Sequence, residues 1–119
     1  MTRQEITNTR DLTFSRWIRN NLPDSSTGLI VSDLDFILCN YKNKKLMLLE
    51  IKTRNAELKT WQSILFSNID RWIKKGIDAD WEYKGFHCLK FENTFFNDGR
   101  AFLDGHETTE EELIYLLSI

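Results

Sequence analysis

The sequence predicts an α/β protein with a mixed sheet of four or five strands flanked by helices. Three observations predict this class. Two strand-like apolar runs, residues 32–38 and 45–52, stand on either side of a short polar segment. The next segment, residues 57–75, repeats its apolar residues at helical spacing. Further apolar runs separated by turn residues follow it, and we expect a single domain over residues 1–119.

The first element is predicted to be a helix that begins after Thr7 or Thr9 and ends near Asn21. Either threonine is a good N-cap, and the apolar residues of this segment recur on one helical face. Residues 23–28, PDSSTG, then predict a loop.

The two central apolar runs predict a β-hairpin that turns at residues 42–43. This turn places Asp35 opposite Glu50 and Asp33 opposite Lys52. Directly opposed side chains of an antiparallel pair lie about 5 Å apart at Cβ. One end of one face therefore collects three carboxylates and an ammonium, whereas the other face is apolar. Because the hairpin is apolar on both faces away from this end, we expect helices to cover it on both sides.

Two carboxylates at this separation repel each other unless a positive charge lies between them. A hard divalent cation such as Mg²⁺ or Mn²⁺ takes oxygen ligands and keeps several of its waters. A neighbouring lysine, here Lys52, can orient a metal-bound water or stabilise charge that develops on a phosphate. The acidic end of the hairpin therefore predicts a hydrolytic site.

The remaining segments predict two or three strands and a helix. Residues 81–96 form one long strand or two shorter ones, residues 100–104 form a short strand, and residues 105–106 form a turn. A capping box that begins at Thr108 or Thr109 opens a short C-terminal helix.

The acidic end of the hairpin resembles the PD-(D/E)XK nuclease superfamily, which includes many restriction endonucleases. Asp35 opens an apolar strand, DFIL, and the triplet Glu50-Ile51-Lys52 follows on the next strand, with fourteen residues between the two acids. The residue before Asp35 is leucine, where the superfamily pattern has proline, and Asp33 competes for the acidic position. The resemblance implies a restriction-endonuclease-like mixed sheet flanked by helices.

The same resemblance implies a deoxyribonuclease that depends on Mg²⁺ or Mn²⁺ and hydrolyses phosphodiester bonds. Asp35 and Glu50 would hold the metal together with the carbonyl of Ile51. Lys52 would assist the attacking water. Asp33 would hold a second metal or replace Asp35.

Further contacts are implied on both helices that flank the hairpin in sequence. Some superfamily members place a glutamine on the helix after the Glu-x-Lys triplet, and Gln62 has a similar position, although a lone glutamine on a helix is otherwise a solvent-facing residue. Some members also take an acidic ligand from their first helix, where Glu5 and Asp11 are the acids available.

The charge distribution permits a nucleic-acid partner but does not demand one. The net charge is −2, and residues 97–119 hold six of the eighteen acids and one base. Basic density peaks over residues 42–59, around the hairpin. We therefore expect Lys44, Lys45 and Arg54 to contact DNA.

The competing interpretation is a non-catalytic module on the same fold that binds nucleic acid or protein. The small size and modest charge favour such a module, whereas the intact Asp, Glu and Lys set favours the enzyme. A nuclease of 119 residues presents little surface to DNA, so we expect a homodimer or a larger protein complex. The sequence has neither a signal-peptide core nor an apolar run of about 20 residues, so we expect a cytoplasmic protein outside the membrane.

Overall fold

The computed structural model describes residues 12–119. The chain divides between Ser32 and Asp33 into two compact units, which are described separately below. The second unit contains the acidic hairpin and every strand that the described residues form. The expectation of a single domain over residues 1–119 stays a prediction.

The first unit contains one helix and one helical turn. Helix α1 (Thr13–Asn21) ends at the residue that the sequence predicts, and a 3-10 turn (Ser25–Thr27) follows in the predicted loop. The threonine caps predicted for this helix, together with Glu5 and Asp11, lie outside the described residues.

Within residues 33–119 a five-stranded mixed sheet and two helices form the second unit. In chain order the elements are β1 (Phe36–Asn40), β2 (Lys45–Lys52), α2 (Thr60–Gly76), β3 (Glu82–Phe91), β4 (Ala101–Leu103), β5 (His106–Thr108) and α3 (Glu110–Leu117). The strands lie in the order β1-β2-β3-β4-β5, and only β2 and β3 of these are parallel neighbours. Helix α2 connects these two strands, as a parallel crossover requires. The predicted α/β class with a mixed sheet is confirmed.

The register of the hairpin is the predicted one. Phe36 pairs with Leu49 and Asn40 pairs with Lys45, which places residues 35 and 50 opposite each other. The predicted two-residue turn is wrong in length, because the ladder stops at Asn40 and Lys45 and leaves the four residues 41–44 in the turn. The turn is longer than predicted by Tyr41 and Lys44, one residue on each side. The pairing of the remaining residues of the two strands is therefore as predicted.

Strand β1 lies at one edge of the sheet and begins later than predicted. We expected residues 32–38 to form it, whereas it spans Phe36–Asn40 and Asp35 precedes it in a bend. Its Ile37 side chain is 64% exposed, so the expectation that both faces of the whole hairpin are covered is wrong for β1. The neighbouring strand β2 is buried at its four central residues, 47–50.

The sheet is packed between α2 and α3. On one face, Phe66 of α2 stacks on Phe86 of β3 with ring centroids 4.9 Å apart. On the other face, Leu113 of α3 packs against Leu49 and Leu89. Alternation along β2 and β3 therefore assigns every side chain of these strands to the α2 face or to the α3 face.

Asp70 of α2 fixes an irregularity in the parallel ladder of β2 and β3. The register shifts at one point, where β3 has one extra residue and Gly85 adopts a φ of 98°. Oδ1 of Asp70 accepts hydrogen bonds from the Phe86 N–H (3.1 Å) and from the Tyr83 hydroxyl (2.8 Å). Asp70 of α2 thereby provides an acceptor for a backbone N–H at the bulge, where the ladder is interrupted.

The later elements differ from the predictions in their limits. Strand β3 ends at Phe91, and residues 92–99 form turns instead of continuing a strand to residue 96. Residues 105–106 were expected to be a turn alone, whereas His106 opens strand β5. In residues 12–119 no helix combines the length and the apolar character needed to cross a membrane.

Candidate active site

Asp35 and Glu50 are linked by hydrogen bonds at the open end of the hairpin. The Asp35 N–H donates to Oε1 of Glu50 (3.1 Å), and the Ile51 N–H donates to Oδ2 of Asp35 (2.9 Å). At the point where the β1–β2 ladder stops, two side-chain carboxylates thus accept hydrogen bonds from backbone N–H groups. Each carboxylate is oriented by a backbone group, which is how ligands of a metal site are commonly held.

Glu50 is buried although it carries an ionisable group. Its residue surface is 3% exposed, and it lies on the α2 face of β2, between strands β1 and β3. Burial, with a further contribution from the neighbouring Asp35 carboxylate, raises the pKa of Glu50 to about 7. The Lys52 ammonium and the Asp35 N–H each lower the pKa of Glu50, but by less than burial and the Asp35 carboxylate raise it. A buried carboxyl group of this kind favours either a proton or a bound cation near neutral pH.

Lys52 lies two residues beyond Glu50 and so on the same face of β2. Its Nζ is 3.8 Å from Oε2 of Glu50, which is an ion pair too long for a hydrogen bond. The Lys52 side chain is 20% exposed, so the ammonium lies at the border between the buried carboxylate and solvent.

Asp33 does not join the other two acids in a compact cluster. It is exposed and precedes β1 by three residues. Among residues 12–119 no group of three or more His, Cys, Asp or Glu side chains is arranged to hold a metal ion. The three-carboxylate cluster expected from the register is therefore reduced to the pair of Asp35 and Glu50.

The pair still suits a hard divalent cation. Mg²⁺ in proteins is commonly bound by only one or two carboxylates and completes its shell with waters and substrate phosphate oxygens. Asp35 and Glu50 supply two such groups, and each carboxylate accepts a hydrogen bond from a backbone N–H. The Ile51 carbonyl, the third ligand implied by the superfamily resemblance, stays a prediction.

Of the residues expected to bind substrate, Arg54 is near the pair in sequence and Gln62 has another contact. Arg54 is exposed, two residues beyond Lys52, in a left-handed backbone conformation with φ of 55°. Oε1 of Gln62 accepts a hydrogen bond from the N–H of Lys59 (3.4 Å), which closes the first turn of α2. Gln62 thus has a capping contact that does not depend on a site.

Lys44 and Lys45 lie at the opposite end of β2. They precede Glu50 by six and five residues, a separation of about 17 to 20 Å along a strand. Nζ of Lys44 is 2.5 Å from Oδ2 of Asp80, and Nζ of Lys45 is 4.0 Å from Oε1 of Glu82. The structure does not bring these two lysines to the carboxylate pair.

Cys88 and Lys90 of β3 are neighbours of the site that the sequence did not indicate. Cys88 pairs with Glu50 and Lys90 pairs with Lys52, so all four side chains lie on the α2 face. Burial, and then the negative charge of Glu50, raises the pKa of the Cys88 thiol. The alternation of residues 81–96 is too irregular to assign these two side chains to a face from sequence.

His87, the residue before Cys88, is held by protein contacts. Its Nδ1 is 2.6 Å from Oδ2 of Asp104 and its Nε2 is 2.9 Å from the Lys84 carbonyl oxygen. The other oxygen of Asp104 accepts a hydrogen bond from the Cys88 N–H at 2.9 Å. Asp104 therefore fixes the backbone of β3 beside the carboxylate pair.

Comparison with known proteins finds a similar protein over part of the chain. No protein-family model matches the chain, and no solved structure matches it. An uncharacterized protein of Archaeoglobus fulgidus is 30% identical over 77 residues, which is 64% of this chain. The chain spans 53% of that protein's length, or about half of it. The name of this relative states no activity.

Proposed function

We propose that the protein is a nuclease that depends on Mg²⁺ or Mn²⁺ and hydrolyses phosphodiester bonds in DNA. The observation that carries the proposal is the hydrogen-bonded pair of Asp35 and the buried Glu50, with the Lys52 ammonium 3.8 Å from Glu50. Acidic pairs beside a lysine are suited to phosphoryl chemistry, because the reaction develops negative charge that has to be stabilised.

Asp35 and Glu50 would hold the metal ion, with the Ile51 carbonyl as a further oxygen ligand. A bound divalent cation neutralises charge on the phosphate and lowers the pKa of a bound water. The N–H groups of Asp35 and Ile51 keep the two carboxylates oriented before any ligand arrives. Burial raises the pKa of Glu50 to about 7, so its carboxylate becomes more available to a cation as the pH rises above neutral.

Lys52 would position the attacking water or a phosphate oxygen. It shares a strand face with Glu50 and reaches solvent, where a substrate phosphate can approach. The ion pair with Glu50 restrains the ammonium without using a short hydrogen bond, so its donors can turn to a substrate. Its role would be electrostatic and orienting, with no covalent step on the amine.

A second candidate is a non-catalytic module that binds nucleic acid or protein. The pairing of Lys44 with Asp80 and of Lys45 with Glu82 makes protein the better partner of such a module, because two cations expected on DNA are neutralised by acids. A module that bound nucleic acid would use lysine and arginine on phosphates, would need no metal and would bind more weakly as salt is raised. The metal requirement therefore separates the two candidates.

The test is cleavage of supercoiled plasmid and of branched and single-stranded oligonucleotides by the purified protein, with manganese and with a chelator. We expect cleavage that needs manganese and is lost in Asp35→Asn. Asp78→Asn, at an exposed position beyond the end of α2, is the matched control and should cleave normally. If no substrate is cleaved in a metal-dependent way at protein concentrations up to stoichiometric, the enzyme is excluded and the binding module remains.

A further inference from the structure

A groove of about 620 Å³ opens on the α2 face of the sheet, beside the carboxylate pair. Cys88 and Lys90 line it, and these are the residues that pair with Glu50 and Lys52 on β2. Neighbouring strands are about 4.8 Å apart, so the groove begins one strand away from the proposed site. Its volume lies in the range of pockets that hold small organic ligands, about 300 to 1,000 Å³.

A row of three side chains runs from the site into the groove across three strands. Lys52 on β2 pairs with Lys90 on β3, and Lys90 pairs with Phe102 on β4. Paired residues share a face, so Phe102 lies two strand spacings, or about 10 Å, from Lys52. A chain bound at Lys52 through a phosphate can therefore reach the aromatic ring with the group next to that phosphate.

The far wall of the groove offers a planar stacking surface. The guanidinium carbon of Arg100 lies over the Phe102 ring, 5.4 Å from its centroid. Nε and Nη2 of Arg100 donate to Oε2 of Glu92 at 3.2 and 3.1 Å, which holds the guanidinium in place. Aromatic rings and arginine planes are the surfaces on which proteins stack unpaired nucleobases.

The charges of the groove suit a base better than a phosphate backbone. Its two cations are each paired with an acid, Lys90 with Glu57 and Arg100 with Glu92. Asp104 adds a further carboxylate to the lining. A surface that binds the phosphate backbone needs unpaired positive charge, whereas a neutral base needs hydrogen-bonding groups around a flat apolar surface.

We propose that this groove binds an unpaired nucleobase next to a phosphate held by Lys52 at the edge of the carboxylate pair, so that the substrate is single-stranded DNA or the unpaired end of a branched DNA. The inference rests on the proposed nuclease function for the position of the phosphate. A base within a continuous duplex is stacked and paired on both sides, and it has to leave the stack before it can enter a concave pocket. Duplex DNA is therefore the poorer ligand.

The test measures binding in a chelator, where no hydrolysis occurs. Fluorescence anisotropy compares a labelled single-stranded oligonucleotide with its blunt duplex. We expect the single strand to bind more tightly and Phe102→Ala to weaken it by about 10- to 100-fold, which is the effect of losing one stacking platform. Because Phe102 is half-buried and its loss could disturb β4, a second variant is needed.

The second variant is Ala56→Trp. Ala56 is exposed and lines the groove, so the larger side chain should fill the groove without entering the core. It should weaken single-strand binding to a similar extent and leave duplex binding unchanged. Tyr115→Leu is the control, because Tyr115 is 87% exposed on α3, the helix on the other face of the sheet.

Equal binding of single strand and duplex, absence of binding, or normal single-strand binding by Ala56→Trp would each overturn the inference. These results are independent of the cleavage assay. Groove-dependent single-strand binding without metal-dependent cleavage would refute the nuclease and keep the base-binding groove. Metal-dependent cleavage together with normal binding by both groove variants would keep the nuclease and refute the groove.

Discussion

Asp35 donates its backbone N–H to the side chain of Glu50 across 3.1 Å, at the point where the first two strands separate. The Ile51 N–H returns a hydrogen bond to the Asp35 carboxylate at 2.9 Å. In a regular hairpin, backbone carbonyls would accept such bonds. Here two carboxylates accept them, and the result is an acidic pair of fixed orientation with Glu50 almost completely buried.

The first prediction is that Glu50→Gln stabilises the metal-free protein at pH 8 but not at pH 5. The pKa of Glu50 is raised to about 7 in the folded state, mainly by burial, from an ordinary value of 4.5. The folded state therefore binds the proton more tightly than the unfolded state, and its contribution to stability is full below pH 4.5 and lost as the pH rises through 7. We expect a gain on the order of 2 kcal/mol for the glutamine at pH 8.

Urea unfolding in a chelator at both pH values measures this difference. Glu111→Gln, an exposed position on α3, is the control and should change the free energy of unfolding equally at both pH values. If Glu50→Gln also shifts it equally at both, Glu50 does not titrate in the way proposed.

The second prediction is that Lys52→Ala lowers the rate of DNA cleavage by about 100- to 1,000-fold, the usual effect of removing one preorganised charged group. Manganese binding should be kept, because Lys52 is not a ligand. Single-turnover cleavage and manganese titration of the same sample measure both. Lys75→Ala, exposed at the end of α2, should cleave at the wild-type rate. Equal rates for Lys52→Ala and the wild type would exclude Lys52 from the reaction.

The third prediction concerns the bulge next to Gly85. Asp70→Ala should lower the free energy of unfolding by about 1 to 3 kcal/mol, because the Phe86 N–H loses its acceptor. Asp78→Ala is the matched control, since Asp78 is exposed and the hydrogen bond in its turn uses its backbone carbonyl. Thermal and urea unfolding at pH 7 measure both variants. A loss no larger in Asp70→Ala than in Asp78→Ala would show that Asp70 does not hold the bulge.

The existence of the apolar strands could be predicted from the sequence, although the limits of β1 and β3 could not. Strand β2 has the predicted limits, Lys45–Lys52, because a lysine stands at each end of its apolar run. The register around Asp35 and Glu50 follows from the same pattern. Strand β5, His106–Thr108, was missed because its three residues are polar and too few to show a period.

The surroundings of the site could not be predicted, because they depend on burial and on residues distant in sequence. The raised pKa of Glu50 results from the packing of the whole sheet around it, which no local pattern encodes. The groove is lined by the segment before α2, by α2 itself, and by β3 and β4, which meet only in the folded chain. The late start of β1 likewise results from hydrogen bonds to the Asp35 and Glu50 side chains.

The most direct test of the account is manganese binding at the acidic pair, followed by electron paramagnetic resonance as manganese is titrated into the protein at pH 8. The account predicts one site in the wild type, its loss in both Asp35→Asn and Glu50→Gln, and its retention in Glu111→Gln. Equal manganese binding by the wild type and by both site variants would contradict it, because Asp35 and Glu50 would then hold no metal.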